Sequence, residues 1–83
     1  MDSTKDRVLK NLRRIDGQIR GIESMISEGR SCSDILYQIV AAREALKRVG
    51  VEIAKDHICQ RALDGENAEE EIEKIIRIIA SLS

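Results

Sequence analysis

The stretch KDHICQRA, residues 55 to 62, carries the chain's only histidine, His57, with Cys59 two residues later. The other cysteine, Cys32, precedes that histidine by 25 residues. A thiolate beside an imidazole is either a soft-metal site or an activated nucleophile. Each residue also has a plainer use. A lone histidine is ordinarily a half-buried side chain with one hydrogen bond, and a lone cysteine behaves as a small hydrophobe. The choice depends on whether the surrounding elements bring Cys32 and His57 together.

Those elements follow from composition and periodicity. The chain has 83 residues, no proline, tryptophan or phenylalanine, one tyrosine, and 35% charged residues. Its apolar residues are mostly Ile, Leu, Val and Ala, which suits long amphipathic helices and leaves little for a β-sandwich or a large enzyme core. One small domain, residues 1 to 83, is expected. There is no acid–base pair or phosphate loop, so no enzyme is expected. Two cysteines make no disulfide framework, the N-terminal MDSTKDRVLK has no apolar core, and no apolar run reaches bilayer length. These features predict a cytoplasmic protein with no membrane partner.

Charge is uneven within a net of −1: residues 1 to 30 hold seven Lys/Arg against five Asp/Glu, and residues 61 to 83 hold three against six. The run LKNLRR concentrates the basic excess. It reads either as a solvated helix face or as a phosphate-contacting patch.

Three helices are expected. In the first, from about Thr4 to Glu28, Val8, Leu12, Ile15, Ile19, Ile22 and Ile26 recur at spacings of four and three. Ser3 or Thr4 caps it, and Gly29 stops it. Gly17 and Gly21, four apart on one face, permit close approach of another helix. The second helix starts near Ser31 or Ser33 and runs to about Ala62 or Leu63, with Gly50 a weak point. The third spans about Ala68 to Leu82.

The second helix is the informative one. About 30 helical residues extend about 45 Å, whereas a compact chain of this size has a radius of gyration of about 12 Å. Its apolar stripe runs the full length, so another copy of the chain is the simplest cover. Cys32 and His57 lie about 37 Å apart on that helix and cannot meet within one chain. In an antiparallel pair about a two-fold axis near residues 44 and 45, positions summing to 89 face each other. Leu36 then meets Ile53, Val40 meets Val49, and Cys32 meets His57 of the other copy. Cys59, roughly on the opposite helix face from His57, reads as a bystander.

The sequence NLRRIDGQIRGIESMISEGRSCSDILYQIVAAREAL, followed by KDHI, resembles the copper-sensitive operon repressor family, which includes nickel/cobalt, formaldehyde and persulfide sensors. The likeness covers nearly the whole chain. Its most specific parts are RRIDGQIRGI, the cysteine after EGRS, and a histidine 25 residues beyond it. The resemblance implies an all-α fold: a three-helix protomer with a long second helix, paired as an antiparallel dimer and assembled into a flat tetramer. It also implies a repressor that holds operator DNA and releases it when an effector acts. By the same likeness Cys32 matches the sensing cysteine, and His57 matches the ligand from the other protomer. Arg13 and Arg14 match basic first-helix positions, and Arg43 is a weaker match on the second helix; Lys10, beside them in LKNLRR, joins the candidate DNA-binding set. Asn11 stands where relatives often have a basic residue.

The sequence departs from the pattern at Arg61. Copper sensors resembling this chain place a cysteine there, nickel sensors a histidine, and formaldehyde sensors a glutamate. Arginine stays protonated and offers no lone pair to a metal. Cys59 replaces the missing donor only if the helix unwinds near its end. Two kinds of effector therefore stand open: a transition metal such as Cu(I), held by Cys32 and His57 with Cys59 or an outside donor, or an aldehyde or reactive sulfur species bonding covalently to Cys32. In the second case Arg61 and the helix N-terminus favour the thiolate. A helical assembly or adaptor protein with an inert Cys and His is the remaining alternative.

Overall fold

The computed structural model describes residues 3–65 and 67–82, except for the side chains of residues 57–64. It contains three helices, α1 (Thr4–Ser27), α2 (Cys32–Asp64) and α3 (Ala68–Ala80). No strand occurs among the described residues. The all-α, three-helix fold is as the sequence predicts.

Local chemistry sets the boundaries. Ser3 Oγ accepts from the Asp6 backbone N–H at 3.1 Å and caps α1. At the other end Gly29 takes φ 71°, a left-handed turn that glycine adopts without steric cost. There the Gly29 N–H donates to Ile26 O and the Arg30 N–H to Met25 O. Ser31 then caps α2, its Oγ accepting from the Asp34 N–H at 3.3 Å. α2 passes through Gly50 without a break and runs for 33 residues, about 50 Å. α3 opens on Glu69, Glu70 and Glu71, which suit the positive end of the helix dipole. It stops at Ala80, short of the predicted Leu82. Ser81 donates its hydroxyl to Ile78 O at 2.6 Å, and residues 81 and 82 form a turn.

α2 is the spine of the fold. α1 packs along it on one side and α3 on another, and α1 and α3 do not pack together among the described residues. The small core joins Val8 and Ile15 of α1 to Val49 of α2, flanked by Ala45. Ala42 and Ala54 are also buried. The extents are 54 × 31 × 12 Å, with a radius of gyration of 16.6 Å. A chain of this length folded as a globule would reach about 12 Å. The helices thus lie in one layer, and one layer cannot enclose a core by itself.

Two expectations are not met within one chain. A Cβ added at Gly17 or Gly21 would meet nothing within 4 Å, so no helix of the chain approaches there. The close approach is at Gly50, where an added Cβ would lie 2.9 Å from Leu82 Cδ1 as the turn after α3 crosses α2. Second, Val49 is 5% exposed and belongs to the core with Val8 and Ile15. It is therefore not free to meet Val40 of another copy. Leu36 and Ile53, the other apolar pair summing to 89, are both about half exposed, as are Ile39, Val40 and Leu46.

Candidate effector site and basic groove

Cys32 is the first residue of α2, next to the Ser31 cap, and its thiol is free and exposed. The turn around it is held by polar contacts. Ser31 Oγ lies 3.5 Å from Ser33 Oγ, and Arg30 pairs with Asp34 at 3.8 Å. The thiol thus stands on a capped helix start and faces outward.

No three His, Cys, Asp or Glu side chains gather into a metal-binding group among the described residues. The side chains of His57, Cys59 and Arg61 lie outside the described set. Their backbone belongs to the unbroken helix that begins at Cys32, so residue 57 is about 37 Å from Cys32 along the axis. A thiolate and an imidazole suit a soft cation. Within one protomer, however, Cys32 and His57 cannot both reach it.

The basic residues sit elsewhere. Lys10, Arg13 and Arg14 are exposed on α1, and none has an ion-pair partner among the described residues. Arg43 of α2 is exposed and pairs with Glu44 at 3.4 Å. A groove runs between α1 and α2, lined by Asn11, Arg14 and Gln18 on one wall and Ala41, Glu44, Ala45 and Arg48 on the other. Gln18 Oε1 is enclosed there without a hydrogen-bond partner among the described residues. Small Ala41 and Ala45 keep the α2 wall low. Arg14 and Arg48 thereby share one opening, although 34 residues separate them in sequence.

Arg48 is absent from the basic set predicted above. Its signal was the dipeptide Lys47-Arg48, with Arg48 one turn beyond Glu44 on the side that turns toward α1. That orientation becomes evident only when the α1–α2 packing is known.

The family described as metal-sensitive transcriptional repressor matches residues 4–81. The chain belongs to that family. Among the metal-sensitive repressors, it is similar to the copper-sensing transcriptional repressor CsoR of Bacillus subtilis, 45% identical over 53 residues, which cover 64% of this chain and 52% of that protein. It is also similar to the copper-sensing repressor RicR of Mycobacterium tuberculosis, 44% identical over 54 residues, 65% of this chain and 56% of that protein. The match thus spans about half the length of these two relatives. The solved structure of the nickel-responsive transcriptional regulator InrS superposes with a TM-score of 0.70 at 32% identity, over 98% of this chain and 89% of that one. These relatives are transcriptional regulators, not enzymes. No helix among the described residues is long and apolar enough to cross a membrane.

Proposed function

We propose that the chain is a cytoplasmic, DNA-binding repressor that leaves its operator when a transition metal, Cu(I) in the first instance, is held between Cys32 of one protomer and His57 of the partner subunit. The observation that carries this reading is the single unbroken α2, which opens on an exposed thiol and bears an exposed apolar stripe. An antiparallel pair through that stripe sets Leu36 opposite Ile53. The same register, with positions summing to 89, sets residue 32 opposite residue 57. Family membership and the similarity to copper-sensing CsoR and RicR favour Cu(I), while the similarity to InrS keeps nickel as the comparison metal.

Each residue has a defined task. Cys32 presents its sulfur outward from a capped helix start. His57 contributes a neutral ring nitrogen, and Arg61 contributes none. A bound soft cation would supply a bond between two protomers that hydrophobic contact alone does not provide. On the DNA side, Lys10, Arg13 and Arg14 meet phosphates from α1, and Arg43 and Arg48 from α2.

The test is an anaerobic titration of the reduced protein with Cu(I) or Ni(II), followed by measurement of DNA retention. Release at stoichiometric Cu(I), lost in both Cys32→Ala and His57→Ala, supports the reading. Retention of DNA at saturating Cu(I) with release by Ni(II) changes the metal, and retention with both overturns the metal assignment. A second reading then takes its place, favoured by the exposed Cys32 and by Arg61 at the third-ligand position: the Cys32 thiolate adds to an aldehyde carbonyl, whose π bond opens to a hydroxyl, or attacks the outer sulfur of a persulfide, whose S–S bond breaks and whose thiol leaves, and the DNA is released. Mass spectrometry of the modified chain distinguishes it.

A further inference from the structure

Three charged residues follow one another at one-turn intervals along α2: Glu44, Arg48 and Glu52. Residues four apart on a helix have Cβ atoms about 5–6 Å from each other, so Arg48 is within reach of either carboxylate. It pairs with neither. Glu52 accepts a hydrogen bond from Arg7 Nε of α1. Glu44 accepts from Arg43 Nη2 at 3.4 Å. Among the described residues Arg48 makes no hydrogen bond or ion pair, and its exposed side chain lines the groove opposite Arg14.

The two flanking pairs are unequal. Arg43 and Glu44 are adjacent in sequence, with side chains 73% and 40% exposed. Such a contact is weak and screened. Arg7 and Glu52 bridge two helices, with side chains 55% and 26% exposed. The interhelix pair is thus the firmer hold, and its geometry depends on the α1–α2 packing that also forms the groove.

We propose that Arg7 is a positioning residue for phosphate binding: by occupying Glu52 it leaves the Arg48 guanidinium uncommitted, so that Arg48 and Arg14 together meet a nucleic-acid phosphate in the α1–α2 groove. The inference rests on the DNA-binding reading above. An arginine already paired with a carboxylate must break that pair before it meets a phosphate. Arg48 has no pair to break while Arg7 holds Glu52. Without Arg7, Glu52 is released one turn from Arg48 and competes with the phosphate for it.

The proposal gives opposite signs to two substitutions that break the same ion pair. Arg7→Ala should weaken binding of the full-length protein to a labelled mixed-sequence duplex about two- to fivefold, the scale of one partly exposed ion pair. Glu52→Gln should bind at least as tightly as the unaltered protein. The double variant Arg7→Ala/Glu52→Gln should recover the loss and restore the slope of log affinity against log salt. If Arg7 merely ties α1 to α2, Glu52→Gln will be as harmful as Arg7→Ala and the double variant will recover nothing. If Arg7 itself touches phosphate, the double variant will also stay weak. Either result overturns the proposal. A thermal melt of each variant separates lost binding from lost folding, and Glu52→Gln keeps the test valid should Arg7→Ala unfold. Absence of salt-dependent binding by the unaltered protein would instead remove the DNA-binding reading itself.

Discussion

Cys32 and His57 stand on one continuous helix, 25 residues apart and therefore about 37 Å from each other along its axis. No side-chain rotation closes such a gap. If the two act together, they do so across two chains, and the effector site cannot exist in an isolated protomer.

The first prediction concerns that site. Cys32 of one protomer and His57 of the partner subunit should lie within about 7 Å, close enough to share one ion. Loss of an outer-shell partner costs a metal site about 10- to 100-fold, so removing either direct ligand should cost at least about 100-fold. Competition with a chromophoric Cu(I) chelator measures this. Cys59→Ala should leave the affinity unchanged, and a drop in that variant would show that the end of α2 rearranges. An assembly with every Cys32 more than about 12 Å from every His57 would exclude the shared site.

Assembly should depend on the exposed stripe of α2. Leu46 and Val40 are each about half exposed there. An aspartate at either position should become a desolvated, unpaired charge in the dimer. Sedimentation of Leu46→Asp is expected to show loss of the dimer together with helical content. A well-folded helical monomer of the unaltered protein at micromolar concentration would contradict the paired arrangement.

DNA binding should carry a measurable electrostatic signature. Each phosphate contact adds about 0.9 to the slope of log affinity against log salt. Replacing both Arg13 and Arg14 by alanine should reduce that slope by about two as well as lowering affinity. An unchanged slope would identify the pair as a solvated face. Substituting glutamine for Glu69, Glu70 and Glu71 should not weaken binding.

The two serine caps offer a matched comparison. Ser3→Ala and Ser31→Ala each remove a side-chain acceptor from a helix start and should each cost about 1 kcal/mol of stability. Only Ser31 adjoins Cys32. Effector affinity should therefore fall in Ser31→Ala and hold in Ser3→Ala, as read by chelator competition alongside urea denaturation. Equal effects on affinity would separate the cap from the function of the thiol.

The helix starts were legible because capping is local: Ser3 and Ser31 act on residues three positions away. Gly29 was legible for the same reason. The end of α3 was not, since the apolar spacing continues through Ile79 and Leu82 while the backbone turns at Ser81. Gly17 and Gly21 permit a close neighbour without requiring one, and within one chain none takes that place. The facing of Val49 toward Val8 and Ile15, the Arg7–Glu52 pair and the shared Arg14–Arg48 groove all depend on how α1 lies along α2. Such non-local contacts leave no mark in spacing alone. Cys32 and His57 were singled out by residue type, and the structure adds that Cys32 is exposed at the first position of α2.

The 12 Å thinness of the chain has a consequence for its abundance. If two copies pair through α2 as proposed above, a molecule with so little interior of its own gains much of its apolar burial on meeting its partner, and its folding equilibrium becomes second order in protein. Its melting temperature should rise with concentration. In a cell, freshly made or diluted chains would spend longer open to proteases than chains already paired, and falling synthesis would speed the clearance of what remains. A protein that pairs in this way would measure its own supply, independently of any effector.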